Sequence, residues 1–325
     1  ASGKARRCVG LRLAQVRGAR CESDGSFLQI AMITPGTRAA AIVNPVAGPA
    51  VNRSRHRQSR DLVKRAFAHE ATACEVVFTE CAGHAGELAS KFASQGVSPI
   101  IAWGGDGTVN EVASALAFQT AVLGIVPTGS GNGLARELGI SLDPSGALAT
   151  AVHGRDRTID IGVLGGRTFV NLAGVGLDAA VAETFSQFDG RGLRRYVQAT
   201  VATVFHYEPA TYVLTFRGNT WQTSALMVAL ANGTQYGHGA SIAPHARLDD
   251  GLLDLVVIAP RNGLRVLWGA RRLFTGTIAQ DPDVRTTTVD SATIASEEPI
   301  RFHVDGEVVC GGRSLTAVTH HAALR

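Results

Sequence analysis

The order of apolar runs and glycine turns predicts an α/β chain: a parallel sheet covered by helices, then a second, predominantly antiparallel domain. Three observations carry this. Up to about residue 155, short apolar runs alternate with helix-length periodic segments, the order that builds a parallel sheet with crossover helices. After about residue 156 the texture changes to short β-type runs separated by Gly, Asp, Asn and Pro. The 325 residues also exceed the size at which a single core stops growing.

Taken in order, Ala39 to Val43 predicts a buried-type strand leading into Asn44-Pro45-Val46-Ala47-Gly48-Pro49. A basic polar segment then leads into a helix around Asp61 to His69. Glu75 to Phe78 reads as a strand, and Ala85 to Gln95 as a helix closing at Gly96. Ile100 to Trp103 is a strand, followed by a glycine turn and a periodic stretch, Val112 to Phe118. Ala121 to Val126 is another strand, before Pro127-Thr128-Gly129-Ser130-Gly131-Asn132-Gly133 and a short helix, Leu134 to Leu138. In the second half, 158–163, 168–172, 210–216, 224–231, 252–258, 286–295 and 300–304 read as β. Helices are expected near 191–205 and 264–273. The expected division is a leader, 1–37, a first domain, 38–155, and a β-rich domain, 156–309, with 310–325 returning to the first.

Composition narrows the class. Hydrophobic content of 45% with 18% charged residues indicates an ordered globular protein, and no internal repeat is seen. The formal charge of +4 sits in the leader, where Lys4, Arg6, Arg7, Arg12, Arg17 and Arg20 outnumber Glu22 and Asp24. The remaining body is neutral, which argues against a nucleic-acid-binding surface. The leader lacks the apolar core of a secretory signal, and no segment reads as a membrane span. Cys8, Cys21, Cys74, Cys81 and Cys310 form no metal-ligand spacing and suit a reducing cytosol.

Gly104-Gly105-Asp106-Gly107-Thr108-Val109-Asn110-Glu111 is the most informative segment. It follows a strand and precedes a helix, and its glycines let a bulky anion approach the main chain. Thr108 and Glu111 have the spacing of a capping box, which places the turn at a helix N-terminus, where amides and dipole favour phosphate. Asp106 either holds a cation, handles a proton or caps backbone.

Further motifs stand in a fixed order with this one: Asn44-Pro45 with Gly48, the Gly129–Asn132 loop with Leu134-Ala135-Arg136, and Gly174-Val175-Gly176-Leu177-Asp178. They continue with Tyr236-Gly237-His238-Gly239, then Leu248-Asp249-Asp250-Gly251 and Val304-Asp305-Gly306-Glu307. Together, over roughly 38–320, they resemble the diacylglycerol kinase catalytic-domain superfamily, especially its bacterial soluble lipid kinases and the related sphingoid-base kinases. The resemblance implies a three-layer ATP-binding domain, a β-sandwich-like lipid domain and chemistry in the cleft between them.

The same resemblance supplies roles. Asn44, Thr79, Gly104, Gly105, Asp106, Gly107 and Thr108 would surround ATP, with Ser130, Gly131 and Asn132 as a second loop. Asp106 would join a nucleotide–Mg²⁺ network, Asp305 would be the base for the acceptor hydroxyl, and Glu307 would orient it or assist the metal. In the sphingoid branch the base falls to the Asp of the first block, so Asp106 and Asp305 exchange roles. Asp178 resembles a position that contacts the polar head of a sphingoid substrate, or else is a structural Asp satisfying nearby backbone donors; Val181, Phe185 and Phe188 would line an acyl-chain cleft or belong to the core. Asp249, Asp250 and Leu252 would hold a structural Mg²⁺, although His245 stands where the family has Asp or Asn. Arg136 would reach phosphate or face solvent; His84 and His153 lie outside any metal spacing.

The expected function is therefore transfer of the γ-phosphoryl group of ATP to a lipid hydroxyl, that of diacylglycerol or a related glycerolipid. A sphingoid or ceramide-like acceptor, an NAD kinase and a non-catalytic nucleotide- or lipid-binding protein are the alternatives. The expected partners are ATP, an amphipathic lipid alcohol and, transiently, a membrane surface, with no nucleic acid. Arg191, Arg194, Arg195 and Arg217 are candidates for docking to an anionic bilayer. The expected location is cytoplasmic, peripheral at the inner membrane surface, and the oligomeric state is open, a homodimer included.

Overall fold

A computed structural model of the chain describes residues 38–48, 54–68, 70, 72–187 and 193–325. The leader, with Cys8 and Cys21, lies outside the described residues, as do Phe188 and Arg191. The first domain holds four parallel strands: β1 Ala39–Val43, β2 Cys74–Phe78, β3 Ile100–Gly104 and β4 Leu123–Pro127, in the order β2-β1-β3-β4. Its helices are α1 Ser54–Ala66, α2 His84–Ser94, α3 Asp106–Leu116, α4 Gly133–Glu137 and α5 Pro144–His153. Every position of β1 and β3 is buried, because helices cover both faces. Val63 of α1 and Leu148 of α5 pack with Ala41 and Ile101; Ala89 of α2 and Val112 of α3 pack with Ile42 and Ile100. Three layers result.

Two helices of the first domain, α1 and α5, depart from the sequence pattern. α1 begins seven residues before Asp61, because its inward stripe is Ser59, Val63 and Phe67, at four-residue spacing with a hydroxyl first. Helix α5 has little signature in the hydropathy pattern: two of its four buried residues are alanines, Ala147 and Ala151, so no apolar face stands out. Its signal is local, since Asp143 accepts the Gly146 N–H at 3.0 Å and Pro144 opens the first turn.

The second domain is two six-stranded antiparallel sheets. In chain order its strands are β5 Ile159–Leu164, β6 Arg167–Phe169, β7 Leu172–Gly176, β8 Ala210–Phe216, β9 Asn219–Ala225 and β10 Met227–Ala231. There follow β11 Leu253–Ile258, β12 Val284–Val289, β13 Ser291–Ala295, β14 Arg301–Val304, β15 Glu307–Cys310 and β16 Ser314–Leu324. One sheet runs β12-β11-β10-β7-β14-β15, the other β6-β5-β16-β13-β8-β9. Phe169, Leu214, Leu230, Ile294 and Phe302 fill the space between them. Helices α6 Leu177–Ser186, α7 Leu193–Val204 and α8 Gly263–Phe274 cover the outer face of the first sheet.

Three runs that read as single strands, 168–172, 224–231 and 286–295, are each two strands that cross from one sheet to the other. An apolar run has the same composition on either side of a sandwich, so the crossing leaves no trace in hydropathy. β16 sits inside the second sheet, between β5 and β13. Past an irregularity between His320 and Leu324, however, its end meets the first domain. Phe118 N–H donates to Ala323 O at 2.7 Å and Leu123 N–H to Arg325 O at 2.8 Å.

Candidate active site

The carboxyl ends of the parallel strands carry the glycine loops to one edge of the sheet. Thr79, after β2, donates its N–H to Val43 O at 2.9 Å, and Asn44, after β1, donates its side-chain N–H to Thr108 Oγ1 at 3.0 Å. Helix α3 opens at Asp106 after an extended Gly105 and has no side-chain cap. Its first amides therefore lack intrahelical acceptors and face the edge where an anion would sit.

The Thr108–Glu111 capping box does not form. Because α3 starts two residues before Thr108, that hydroxyl lies inside the first turn. Glu111 instead accepts the N–H groups of Gly83 at 2.9 Å and Ala85 at 3.1 Å, capping the neighbouring helix α2.

Asp106 joins the two glycine loops. Its Oδ2 accepts the Asn132 N–H at 2.9 Å and its Oδ1 the Gly133 N–H at 2.7 Å. The backbones come so close that a Cβ on Gly129 would lie 2.6 Å from Gly105 Cα, and one on Gly131 2.9 Å from Asp106 Oδ2. Arg136 donates to Gly131 O at 3.0 Å, so it braces the loop. Ser130 lies between these fixed points.

Asp305 belongs to the second domain but reaches the first. It occupies the left-handed region (φ 47°) at the β14–β15 turn, beside Gly306 at φ 88°. Its carboxylate is turned inward. Oδ1 accepts the amides of Asn171 at 3.0 Å and Leu172 at 2.9 Å; Oδ2 accepts the Val170 amide at 2.9 Å and the Asn110 side-chain amide at 2.8 Å. Burial raises its pKa, and the four donors oppose that rise. Asn110 lies four residues beyond Asp106 on α3, about 6 Å along the axis. The two acidic residues therefore share one side of the domain junction. Sequence alone does not mark Asn110 as a site residue, since an Asn on a helix face carries no signal of its partner.

Residues 38–164 match the family described as "Diacylglycerol kinase catalytic domain", and residues 171–322 the "YegS C-terminal NAD kinase beta sandwich-like domain". A "Probable lipid kinase YegS-like" protein of Pseudomonas syringae pv. tomato is 31% identical over 256 residues, covering 77% of this chain and 82% of the relative. The chain belongs to the diacylglycerol kinase-like family of lipid kinases. A relative of the same name from Chromohalobacter salexigens is 36% identical over a shorter stretch, 186 residues, covering 55% of this chain and 59% of that relative's length. The fold matches the crystal structure of "a putative diacylglycerol kinase" from Bacillus anthracis str. Sterne, with a TM-score of 0.72 at 24% identity over 90% of this chain and 97% of that one.

Other residues that the lipid kinase family drew attention to take different places. Glu307 is exposed and pairs with Arg167 at 3.4 Å, turned away from the Asp305 carboxylate. Asp178, in the first turn of α6, is buried: it accepts from Ala179 N–H at 2.8 Å and faces His303 Nε2 at 3.1 Å. His303 Nδ1 accepts the Gly306 N–H at 3.3 Å, so the ring proton sits on Nε2 and is donated to Asp178. Burial, then the Asp178 charge, raises the pKa of Tyr196 and of Tyr236, whose hydroxyl is 3.5 Å from Asp178. His303 links Asp178 to the Asp305 turn, a connection no spacing announces. Val181 is buried in the core and Phe185 packs edge-on against Tyr196. His84 accepts the Glu80 N–H four residues away, whereas His153 lies 3.7 Å from Glu70, which is distant in sequence.

The structural-metal expectation does not fit the residues present. Asp249 is engaged by Arg157 at 2.7 Å and Arg247 at 3.6 Å, and the Arg157 hydrogen bond chiefly holds its pKa below the ordinary range. Asp250 instead accepts the Leu252 N–H at 3.0 Å, closing its own turn. Burial, then Asp250, lifts the half-buried Asp254 to about 6. Among the described residues no group of three or more His, Cys, Asp or Glu is placed to hold a metal. The anchor of this region is Asp160, fully buried, which collects Gly251 N–H at 2.6 Å, Ala322 N–H at 2.7 Å and His321 Nδ1 at 2.8 Å.

Proposed function

We propose that this lipid kinase transfers the γ-phosphoryl group of ATP to the hydroxyl of diacylglycerol or a related glycerolipid. The observation that carries this reading is helix α3: Asp106 at its start binds the second glycine loop, and Asn110, one turn on, holds Asp305. Phosphate oxygens would meet the free amides of the α3 N-terminus, with Asn44, Thr79 and the Ser130–Asn132 loop around them. Mg²⁺ accompanying the nucleotide would neutralise phosphate charge, and Asp106 is the carboxylate that would help hold it, each oxygen keeping capacity for a further contact.

Asp305 takes the proton from the acceptor hydroxyl as its oxygen bonds to the γ-phosphorus and ADP leaves. All four lone-pair directions of Asp305 are engaged here, so one donor must move aside first. Asn110 is the side chain that can swing, while the other three are backbone amides. Asp178 is assigned the inner wall of the headgroup end, acting through Tyr236 and His303. Its carboxylate is already hydrogen-bonded, which favours a neutral glycerolipid over a cationic sphingoid base. No helix among the described residues is long and apolar enough to cross a membrane. The lipid would be met at the cytoplasmic surface of the bilayer.

The test is incubation of the purified protein with radiolabelled ATP, Mg²⁺ and dispersed lipids, followed by identification of the labelled product. A phosphate monoester of a glycerolipid is expected. Labelled NADP from added NAD, with no labelled lipid, would overturn the reading.

A further inference from the structure

We infer that α7 and α8 together form a docking face for an anionic lipid bilayer. The inference rests on the lipid-kinase reading and adds the surface by which the enzyme reaches its substrate. On α7, Val197 and Val201 are four residues apart and exposed, and Phe205 follows at the same spacing, 53% exposed. On α8, Leu264 (72% exposed) and Trp268 (66%) repeat the spacing. The stripes meet where Phe205 lies over Gly263: a Cβ there would fall 2.6 Å from the ring. A monomer leaves large apolar side chains exposed singly; a stripe on two touching helices marks a contact surface.

Charge identifies the occupant. Neither helix contains an acidic residue, whereas Arg194, Arg195, Arg265, Arg271 and Arg272 lie on them. Arg265 and Arg272 approach Asp283 and Asp281, but no acidic partner is found for Arg194, Arg195 or Arg271 among the described residues. Arg271 stacks 3.6 Å from the centre of the Trp268 ring, an aromatic face edged with cation, the composition of a helix lying in a headgroup layer. Position agrees with this role. Thr203 of α7 bonds Thr184 of α6 at 2.9 Å, and the two helices line a cavity of about 300 Å³ with His206 and Tyr207. A bilayer on this face would adjoin the helix that carries Asp178.

The experiment uses the full chain and vesicles of phosphatidylcholine with about one-third phosphatidylglycerol, without acceptor lipid. Co-sedimentation should fall roughly tenfold in Trp268→Ala and in Leu264→Ser. It should fall roughly fivefold per charge in Arg271→Gln and Arg194→Gln, with binding weakened by salt. Brominated acyl chains should quench wild-type tryptophan fluorescence and leave Trp268→Ala unquenched. Unfolding midpoints, and turnover of a short-chain acceptor dispersed as monomers, should match wild type. Unchanged vesicle binding in Trp268→Ala overturns the inference. So does a loss of self-association in that variant with vesicle binding intact, which would assign the face to a second copy. Absence of turnover on the monomeric acceptor in wild type would instead count against the kinase reading alone.

Discussion

Two Asp-Gly turns of the second domain look alike in sequence and differ in almost everything physical. Asp305-Gly306 and Asp250-Gly251 each place glycine at positive φ, 88° and 77°. At the first, the carboxylate points inward and gathers four hydrogen bonds from three backbone amides and Asn110. At the second, Asp250 closes its own turn and Asp249 pairs outward with arginines. The difference originates elsewhere in the chain. Between β6 and β7 the backbone leaves one sheet for the other, and the amides of Val170, Asn171 and Leu172 point to Asp305 as it crosses. A sheet crossing thus creates the donor cluster that turns one acidic side chain inward, and nothing comparable faces Asp249 among the described residues.

The largest expected effect breaks or upholds this contrast directly. Asp305→Asn should lower turnover by about 10²–10⁴-fold, the range for losing a general base. It should also lower the unfolding temperature, because an amide nitrogen would then face backbone N–H donors, at about 1–3 kcal/mol for each partner left unsatisfied. Asp249→Asn should leave kcat within a few-fold of wild type. Steady-state kinetics and calorimetry on both variants decide it: equal losses at the two turns would show that the contrast has no chemical meaning.

A smaller effect sharpens the role of Asp305. Its pKa is raised by burial and lowered by the Asn110 hydrogen bond, so removing that donor in Asn110→Ala should raise it further. A protonated Asp305 cannot take a proton, so kcat/KM should fall as pH drops through this pKa. The acid limb should start above the ordinary aspartate value of about 3.9 and shift to higher pH in Asn110→Ala. Stability follows with its own sign. A folded pKa above the unfolded one gives a contribution that is full below the unfolded value and lost as pH rises through the folded one. An acid limb unmoved by Asn110→Ala would detach Asp305 from the rate.

How much of this was legible follows from the range of each interaction. Strand-end glycine loops are local, and Gly104–Thr108 and Gly129–Asn132 could be read directly. The helix face of α8 could be read from its spacing, whereas α6 was hidden by the glycines that precede Leu177. Unreadable features are those whose partner is remote: Glu111 capping α2, Asn110 reaching Asp305 across 195 positions, and Arg157 reaching Asp249 across 92. The capping-box spacing of Thr108 and Glu111 was real but idle, because the helix began two residues earlier and tertiary donors took both side chains.

The smallest effect concerns the other turn, where an arginine stands in the position a cation would serve. Arg157 already supplies positive charge to Asp249, with Arg247 beside it, so a cation there would have to displace them. Calorimetric unfolding of the nucleotide-free protein should therefore give the same midpoint with excess EDTA as with millimolar-range Mg²⁺. The pair is half-exposed, with 52% and 34% of the two side chains accessible, so solvent screening limits it. Arg157→Ala should cost no more than about 1 kcal/mol, and less at high salt. A rise in midpoint with Mg²⁺ in wild type would restore a metal to this turn. A rise seen only in Arg157→Ala would show that the guanidinium occupies the cation's place, since removing it uncovers carboxylates that the wild-type chain keeps neutralised by itself.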